Sequence, residues 1–229
     1  MRILILGAGK TGRLVAEVAS ERSHAVRVLA SSENRNASAL TPAFLKDFDV
    51  AIDFTTPAAV VANMHACLPS GIRMVIGTTG WYSHLPEIRT LAQQHKTALL
   101  YGTNFSIGMQ MMLKLAKEMT AALKDAGYTF AISETHHVSK LDAPSGTALT
   151  LRDAVLSTIG VEHEIVINAN RTGEVEGIHS LIATGPSDRL ILTHEATSRR
   201  PFAEGAVRAA EWLSTRTGVY EFCQVFDQF

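Results

Sequence analysis

Apolar residues fall into two different rhythms along the chain. Up to about residue 105, short unbroken apolar runs alternate with stretches of helical periodicity. Ile3, Leu4, Ile5 and Leu6 form one such run, the pattern of a strand covered on both faces. Leu14, Val15, Val18 and Ala19 then recur at helical spacing. Further strands are predicted over 25–30, 50–54, 74–76 and 98–101. Between them, Val60, Val61, Met64 and Leu68 mark one face of a helix ending near Gly71, and 84–94 reads as another helix. Strands separated by helices imply crossover connections and a mostly parallel, doubly wound α/β sheet.

The rhythm changes after Asn104. Residues 107–124 read as one long amphipathic helix, with Leu113, Leu115, Met119 and Leu123 among its apolar positions. Longer strands follow over 128–138, 164–170, 179–183 and 190–196 with few helices between them, the pattern of an α+β domain with an open sheet. Residues 203–215 are helical again, and the tail carries Tyr220, Phe222 and Phe226. No repeat, low-complexity segment or proline-rich linker intervenes. The expected organisation is one domain over 1–105, completed by 200–229, and a second over 106–199, joined by short hinges.

Composition narrows the function classes. A chain of 229 residues, 46% hydrophobic, can bury the cores of two modest domains. A formal net charge of -1 argues against a nucleic-acid partner. Cys67 and Cys223 make neither a disulfide framework nor a CxxC pair, and they fit reduced thiols. No apolar run approaches the ~18 residues of a membrane span. The opening run stops at Gly7, short of the ~7–15 residues of a signal-peptide core. A soluble, cytoplasmic protein without a membrane partner is expected.

Gly7-Ala8-Gly9-Lys10-Thr11-Gly12 reads GxGxxG directly after a strand and at the opening of a helix. There, Gly7 makes a tight turn, Gly9 lets the backbone approach a pyrophosphate, and Gly12 lets helix and strand pack closely. The placement predicts a Rossmann-type dinucleotide site. A P-loop is excluded, because Leu4 stands where that motif needs a glycine. After the second predicted strand comes Ser31-Ser32-Glu33-Asn34-Arg35. No acid ends the strand itself to take a ribose hydroxyl. Ser31 and Ser32 with Arg35 suit a 2′-phosphate, which leans the reading to NADPH, and Glu33 keeps NADH open. Two further loops at strand carboxyl ends, Gly77-Thr78-Thr79-Gly80 and Gly102-Thr103-Asn104-Phe105-Ser106, are candidate cofactor contacts.

The densest chemistry lies in Glu134-Thr135-His136-His137-Val138-Ser139-Lys140-Leu141-Asp142-Ala143-Pro144-Ser145-Gly146-Thr147. It starts on a strand and ends at a helix start. The helix N-terminus, the hydroxyls of Ser145 and Thr147, and the Lys140 charge together suit a carboxylate. Adjacent strand residues point to opposite faces, so His136 and His137 are not expected to share a metal ion, and no metal is expected.

This segment is similar to the signature E-x-HHxxKxDAPSGTA of the dihydrodipicolinate reductases. GAGKTG, IDFTTP, GTTGW, NFSIGM, RTGEVEGIH and the stretch from Leu192 to Ala206 resemble the family's other motifs in the family's order. The resemblance implies an NAD(P)H-dependent reductase of 4-hydroxy-tetrahydrodipicolinate in lysine and diaminopimelate biosynthesis. It implies His136 as catalytic acid/base and Lys140 as proton donor and substrate-orienting lysine. His137, Ser145, Gly146 and Thr147 resemble residues that bind the substrate carboxylates. Gly7 to Gly12, Gly77 to Thr79, Gly102 to Phe105, and Arg199 with Phe202 resemble the family's dinucleotide contacts. It further implies a homotetramer built through the second domain's sheet, making 106–199 a substrate-binding and oligomerisation domain.

The chain departs from the family where Val138 and Ser139 replace the Arg and His of many members. The loop after the second strand is also short and lacks the acid found in many members. Two other readings compete. One is a Rossmann-type reductase of another imine or oxo acid, favoured by Val138-Ser139. The other is a non-catalytic dinucleotide sensor, which loss of His136 or Lys140 would mark; both residues are present.

Overall fold

The computed structural model describes residues 1–229. In chain order the elements are β1 (Arg2–Leu6), α1 (Lys10–Glu21), β2 (Ala25–Leu29), α2 (Pro42–Leu45), β3 (Val50–Asp53), α3 (Pro57–Cys67), β4 (Arg73–Ile76), α4 (Leu85–Gln94) and β5 (Ala98–Tyr101). Then follow α5 (Ile107–Leu123), β6 (Thr129–His136), α6 (Gly146–Ile159), β7 (Val166–Arg171), β8 (Gly177–Thr184) and β9 (Arg189–Ala196). The chain closes with α7 (Arg200–Leu213), β10 (Gly218–Glu221) and α8 (Phe222–Val225). It divides into two compact units, Met1–Ile107 with Arg200–Phe229, and Gly108–Arg199.

The first unit is a six-stranded sheet in the order β10-β5-β4-β3-β1-β2, with every neighbouring pair parallel. The unbroken apolar run of β1 exists because both of its faces are covered. Ile3 and Ile5 pack with Val15, Val18 and Ala19 of α1 and Ala206, Val207 and Ala210 of α7. Leu4 and Leu6 pack on the other side with Val60 and Met64 of α3 and Ile88 of α4. The chain turns outward to β2 from β1, then recrosses to β3 and onward. The order therefore reverses between β1 and β3, the switch point where ligands of such sheets bind. The tail strand β10 pairs with β5 through Val219↔Leu99 and Tyr220↔Leu100, an element the sequence pattern did not predict.

The second unit is a four-stranded sheet in the order β7-β6-β8-β9. The pairs β6–β8 and β8–β9 are antiparallel, whereas β6–β7 is parallel and is joined through α6. One face of the sheet is covered by helices: Ile132 and Leu181 pack with Met109, Met112 and Ala116 of α5 and Leu151 and Val155 of α6. Alternation along β6 and β8 then carries that same face from Ile132 and Leu181 to Glu134 and His179, which stand opposite each other, and on to His136 and Gly177. The sheet's covered face is apolar at one end and polar at the other.

Helix α7 lies close against its own unit's loop after β5. A Cβ placed on Gly205 would sit 1.8 Å from the Phe105 carbonyl oxygen, so glycine is required there. Gly205→Ala must therefore push helix and loop apart. We expect it to cost about 1–3 kcal/mol in urea unfolding; an unchanged midpoint would show that the close approach is not needed.

Candidate functional site

In the first unit the strand carboxyl ends carry a cradle of loops. Gly7 adopts φ +104° and has no room for a Cβ, which would lie 2.3 Å from the Phe54 carbonyl oxygen. At Gly12 a Cβ would lie 2.0 Å from the Gly7 carbonyl oxygen, so α1 starts directly under the turn. At Gly9, by contrast, a Cβ would meet nothing within 4 Å. Gly9 caps α1 with no side-chain hydrogen bond, and the first turn holds no acid. Lys10 is exposed and Ala8 and Thr11 are half-buried. Tight packing beneath, open backbone above and an uncapped helix start together fit a pyrophosphate.

The neighbouring loops are braced by a buried carboxylate. Asp53, at the end of β3, is fully buried and accepts hydrogen bonds from the Thr55 N–H and hydroxyl, the Thr78 hydroxyl and the Asn63 amide. Asn63 in turn accepts from Asn34, whose own side chain accepts the Ala39 N–H. This chain links the loops after β2, β3 and β4. It also spends the Thr78 side chain inside the protein, leaving Thr79 exposed beside it.

Phe105 is likewise turned inward, its ring 4.6 Å from that of Phe222. Gly102 lies against Phe222, Thr103 is exposed, and Asn104 accepts the Ser106 N–H. Gly77 packs on the Phe54 ring. Thr78 and Phe105 therefore offer a ligand backbone rather than side chain. Phe202 lies in the first turn of α7, half-buried.

After β2, Ser31, Ser32 and Arg35 are exposed. The Glu33 carboxylate is folded back onto the turn, where it accepts the Ala30 N–H at 3.0 Å and pairs with Arg27 at 2.6 Å.

In the second unit the polar end of the sheet meets the start of α6. Ser145 caps that helix, its Oγ accepting the Ala148 N–H at 3.1 Å. A Cβ on Gly146 would meet nothing within 4 Å, and Thr147 follows half-buried in the first turn. Lys140 reaches this end with its Nζ 2.7 Å from Asp142 Oδ1. His136 and His137 diverge as strand alternation requires. The His136 ring is buried, whereas His137 is half-buried with its Nδ1 2.8 Å from the Ser139 hydroxyl. Arg199 pairs with Glu176 at 3.1 Å.

His136 is surrounded by Glu134, Arg171 and His179, to which the sequence motifs assign no role. Glu134 is fully buried; its Oε1 accepts the Ser145 N–H at 2.9 Å and pairs with Arg171 at 3.1 Å. Its Oε2 lies 3.3 Å from His136 Nδ1 and 3.7 Å from His179 Nε2. His179 Nε2 also lies 3.2 Å from Ser145 Oγ. Arg171 reaches the Asp142 carbonyl at 2.6 Å, fastening the loop between β6 and α6. The signal for these residues was present in the alternation of Ile132, Glu134 and His136. A glutamate in an alternating strand nevertheless reads as a solvent-facing residue.

Burial drives the electrostatics. It pushes the His136 ring below its ordinary range, with Lys140 and Arg171 adding to the effect and Glu134 opposing it. Burial also pushes His179 down to about 4, helped by His136. For Glu134, burial is outweighed by hydrogen bonds from Ser145 and Arg171, and its carboxyl is held low. Glu134, His136 and His179 could present three metal-ligand atoms within 4.8 Å of one another. The Arg171 guanidinium on the same carboxylate opposes a second cation there.

The chain matches two family models. One, described as dihydrodipicolinate reductase, N-terminus, covers residues 1–105; the other, described as dihydrodipicolinate reductase, C-terminus, covers 108–226. The 4-hydroxy-tetrahydrodipicolinate reductase of Christiangramia forsetii is 34% identical, over 96% of this chain and 95% of that protein. Its counterpart in Natronomonas pharaonis is 37% identical, over 97% and 98%. Among solved structures, the dipicolinate-bound dihydrodipicolinate reductase of Paenisporosarcina sp. TG-14 superposes with a TM-score of 0.81. That likeness holds at 24% identity, over 98% of this chain and 99% of that one. An amine dehydrogenase from Mycobacterium smegmatis shares the fold at a TM-score of 0.61 and 11% identity, over 96% and 94%.

The low histidine value has a consequence for stability. Between about pH 6.5 and 4, an unfolded His179 holds a proton that the folded one refuses, so stability falls as pH falls through that window. The loss from His179 alone is about 3 kcal/mol once both states are protonated. Urea unfolding at pH 7.5 to 4.5 should show this decline, and His179→Asn should flatten it. An equal decline in the variant would assign the acid sensitivity elsewhere.

Proposed function

This chain belongs to the dihydrodipicolinate reductase family, and we propose how it works as a 4-hydroxy-tetrahydrodipicolinate reductase of lysine and diaminopimelate biosynthesis. The first unit holds a nicotinamide dinucleotide, with the pyrophosphate over Gly7 to Gly12. The loops 77–79 and 102–105, with Arg199 and Phe202, serve the rest of it. When bound in its reduced form, the cofactor would supply hydride to the ring carbon that loss of the 4-hydroxyl as water leaves conjugated to the substrate's C=N bond. NADPH is the favoured form. Glu33, the acid nearest the end of β2, is engaged with Ala30 and Arg27, and Ser31, Ser32 and Arg35 are exposed for a 2′-phosphate.

The second unit holds the dicarboxylate. Ser145, Gly146 and Thr147 at the start of α6, with His137, bind carboxylate, and Lys140 adds its charge. The observation that carries this reading is the placement of buried His136 at the end of β6, beside that helix start, with Lys140 on the loop between. His136 delivers the proton that the reduced ring system requires, and Lys140 stabilises the charge that develops before it arrives. In the ligand-free protein burial disfavours the charged form of the His136 ring. A doubly negative substrate reverses that balance, so binding the dicarboxylate draws a proton onto the ring that will donate it.

The other faces of the chain support the remaining expectations. The solvent face of the second sheet carries Val166 and Ile191, both more than half exposed, which supports assembly of a homotetramer through it. No helix is long and apolar enough to cross a membrane. Cys67 is buried and Cys223 exposed, and the two form no disulfide, which supports a reducing, cytoplasmic setting.

With freshly generated 4-hydroxy-tetrahydrodipicolinate, the wild type should oxidise NADPH faster than NADH. His136→Gln should lower kcat by roughly 10²–10⁴-fold while nucleotide still binds. Lys140→Ala should raise KM and lower kcat together. Absence of turnover with either cofactor, despite nucleotide binding, would contradict the assignment.

The proton-coupled binding has its own signature. The kcat/KM profile reports the free enzyme, in which His136 is held low, and kcat reports the complex, in which it is raised. Both should fall as pH rises, with the kcat limb at the higher pH. Coincident limbs would show that substrate does not recruit the proton.

A further inference from the structure

Oε2 of Glu134 and Nδ1 of His136 are each buried without a hydrogen-bond partner, and they lie 3.3 Å apart. One is an acceptor and the other can be a donor. Leaving each unmade costs about 1–3 kcal/mol, which a modest turn of the imidazole would recover. Hydrogen bonds of this kind are commonly loose in a ligand-free site and tighten in the substrate complex.

The carboxylate has no freedom to turn elsewhere. Its Oε1 is held by the Ser145 N–H on one side and Arg171 on the other. His179 is the alternative partner for Oε2, but it stands farther off at 3.7 Å and its Nε2 is already engaged with Ser145 Oγ. On the far side of the His136 ring, a Cβ on residue 177 would come within 3.0 Å of Nε2. Glycine there leaves that nitrogen clear.

From this geometry we propose that Glu134 is the positioning residue for His136. It fixes Nδ1 as the ring's donor so that Nε2 is the atom that carries the transferred proton. Through the Ser145 N–H, the same carboxylate fixes the start of α6 relative to that ring. The proton donor and the carboxylate-binding helix start are thus set by one group. The inference rests on the assignment of His136 as proton donor.

The test is Glu134→Gln, which keeps the shape. Its carbonyl can still accept from Ser145 and Arg171, but its amide then presents N–H to Nδ1. That moves the neutral ring's proton to Nε2 and disfavours the imidazolium. We expect kcat to fall roughly 10²–10⁴-fold, with KM and dipicolinate affinity held within about threefold. The alkaline limb of kcat should move to lower pH. Glu134, Lys140, Asp142, Arg171 and His179 all face the ring, with His194 acting through His179, and only the first changes in the variant. Because Glu134 acts through His136, Glu134→Gln combined with His136→Gln should be no slower than His136→Gln alone. A purely structural glutamate would instead give losses that multiply, together with weakened dipicolinate binding.

Histidine ring-nitrogen NMR on the wild type gives a second arm that no folding defect can obscure. His136, identified by its loss in His136→Gln, should be in the Nδ1–H form when neutral; the Nε2–H form would overturn the proposal. An active wild type and a crippled His136→Gln, with Glu134→Gln unaffected, would sink this inference alone. Full activity in His136→Gln would instead sink the reading it rests on.

Discussion

A carboxylate cannot be taken fully out of water without donors to receive it, and this constraint organises both functional ends of the molecule. Each unit has one such group, Asp53 in the first and Glu134 in the second, both with no exposed surface. Asp53 gathers Thr55, Thr78 and Asn63, and through Asn63 it reaches Asn34. The loops that would cradle a dinucleotide are therefore tied to one another before any ligand arrives. Glu134 gathers Ser145, Arg171 and the two buried histidines. In doing so it joins three strands and the start of a helix at one point. Losing either carboxylate would orphan several buried donors at once, so each site is preorganised by the same bonds that make its burial tolerable.

Packing and chemistry are continuous along the second sheet. Ile132 and Leu181 bury the sheet against α5 and α6, and two residues further along each strand Glu134 and His179 occupy the same face. The apolar half holds the strands in register. The polar half inherits that register and so presents His136 and Gly177 with little freedom. Desolvation then sets the chemistry. Burial holds the His136 ring below its ordinary range, and under the proposed mechanism a negatively charged ligand would supply the field that opposes it. In the first unit, the close packing of Gly7, Gly12 and Gly205 does the corresponding work with backbone rather than charge.

Much of this was legible in the chain and some was not. The strands β1, β3, β4 and β5 announce themselves because burial on both faces leaves unbroken apolar runs such as Ile3 to Leu6. The strand β10 was hidden, since Gly218-Val219-Tyr220-Glu221 carries no period of its own and becomes a strand only by pairing with β5. GxGxxG and the start of α6 after Pro144 are legible because both depend on local spacing, whereas the roles expected of His136 and Lys140 come with the family resemblance. Asp53, Glu134, Arg171 and His179 lie within the motifs, yet nothing in the motifs assigns them a role. Their importance comes from burial and from partners distant in sequence, neither of which local pattern encodes. Thr78 and Phe105 were placed correctly at strand ends, but their side chains turn into the Asp53 network and against Phe222.

The central claim is that, once 4-hydroxy-tetrahydrodipicolinate has lost its hydroxyl as water, hydride passes from a nicotinamide bound by this chain to the conjugated ring, with a solvent-derived proton completing the reduction. It is tested most directly by a single turnover with cofactor deuterated on the ring carbon that carries the hydride, followed by mass spectrometry of the product. The account predicts one deuterium in tetrahydrodipicolinate from cofactor and none at that carbon when the label is placed in the solvent instead. Product without cofactor deuterium, or cofactor oxidised with the ring unreduced, would contradict it.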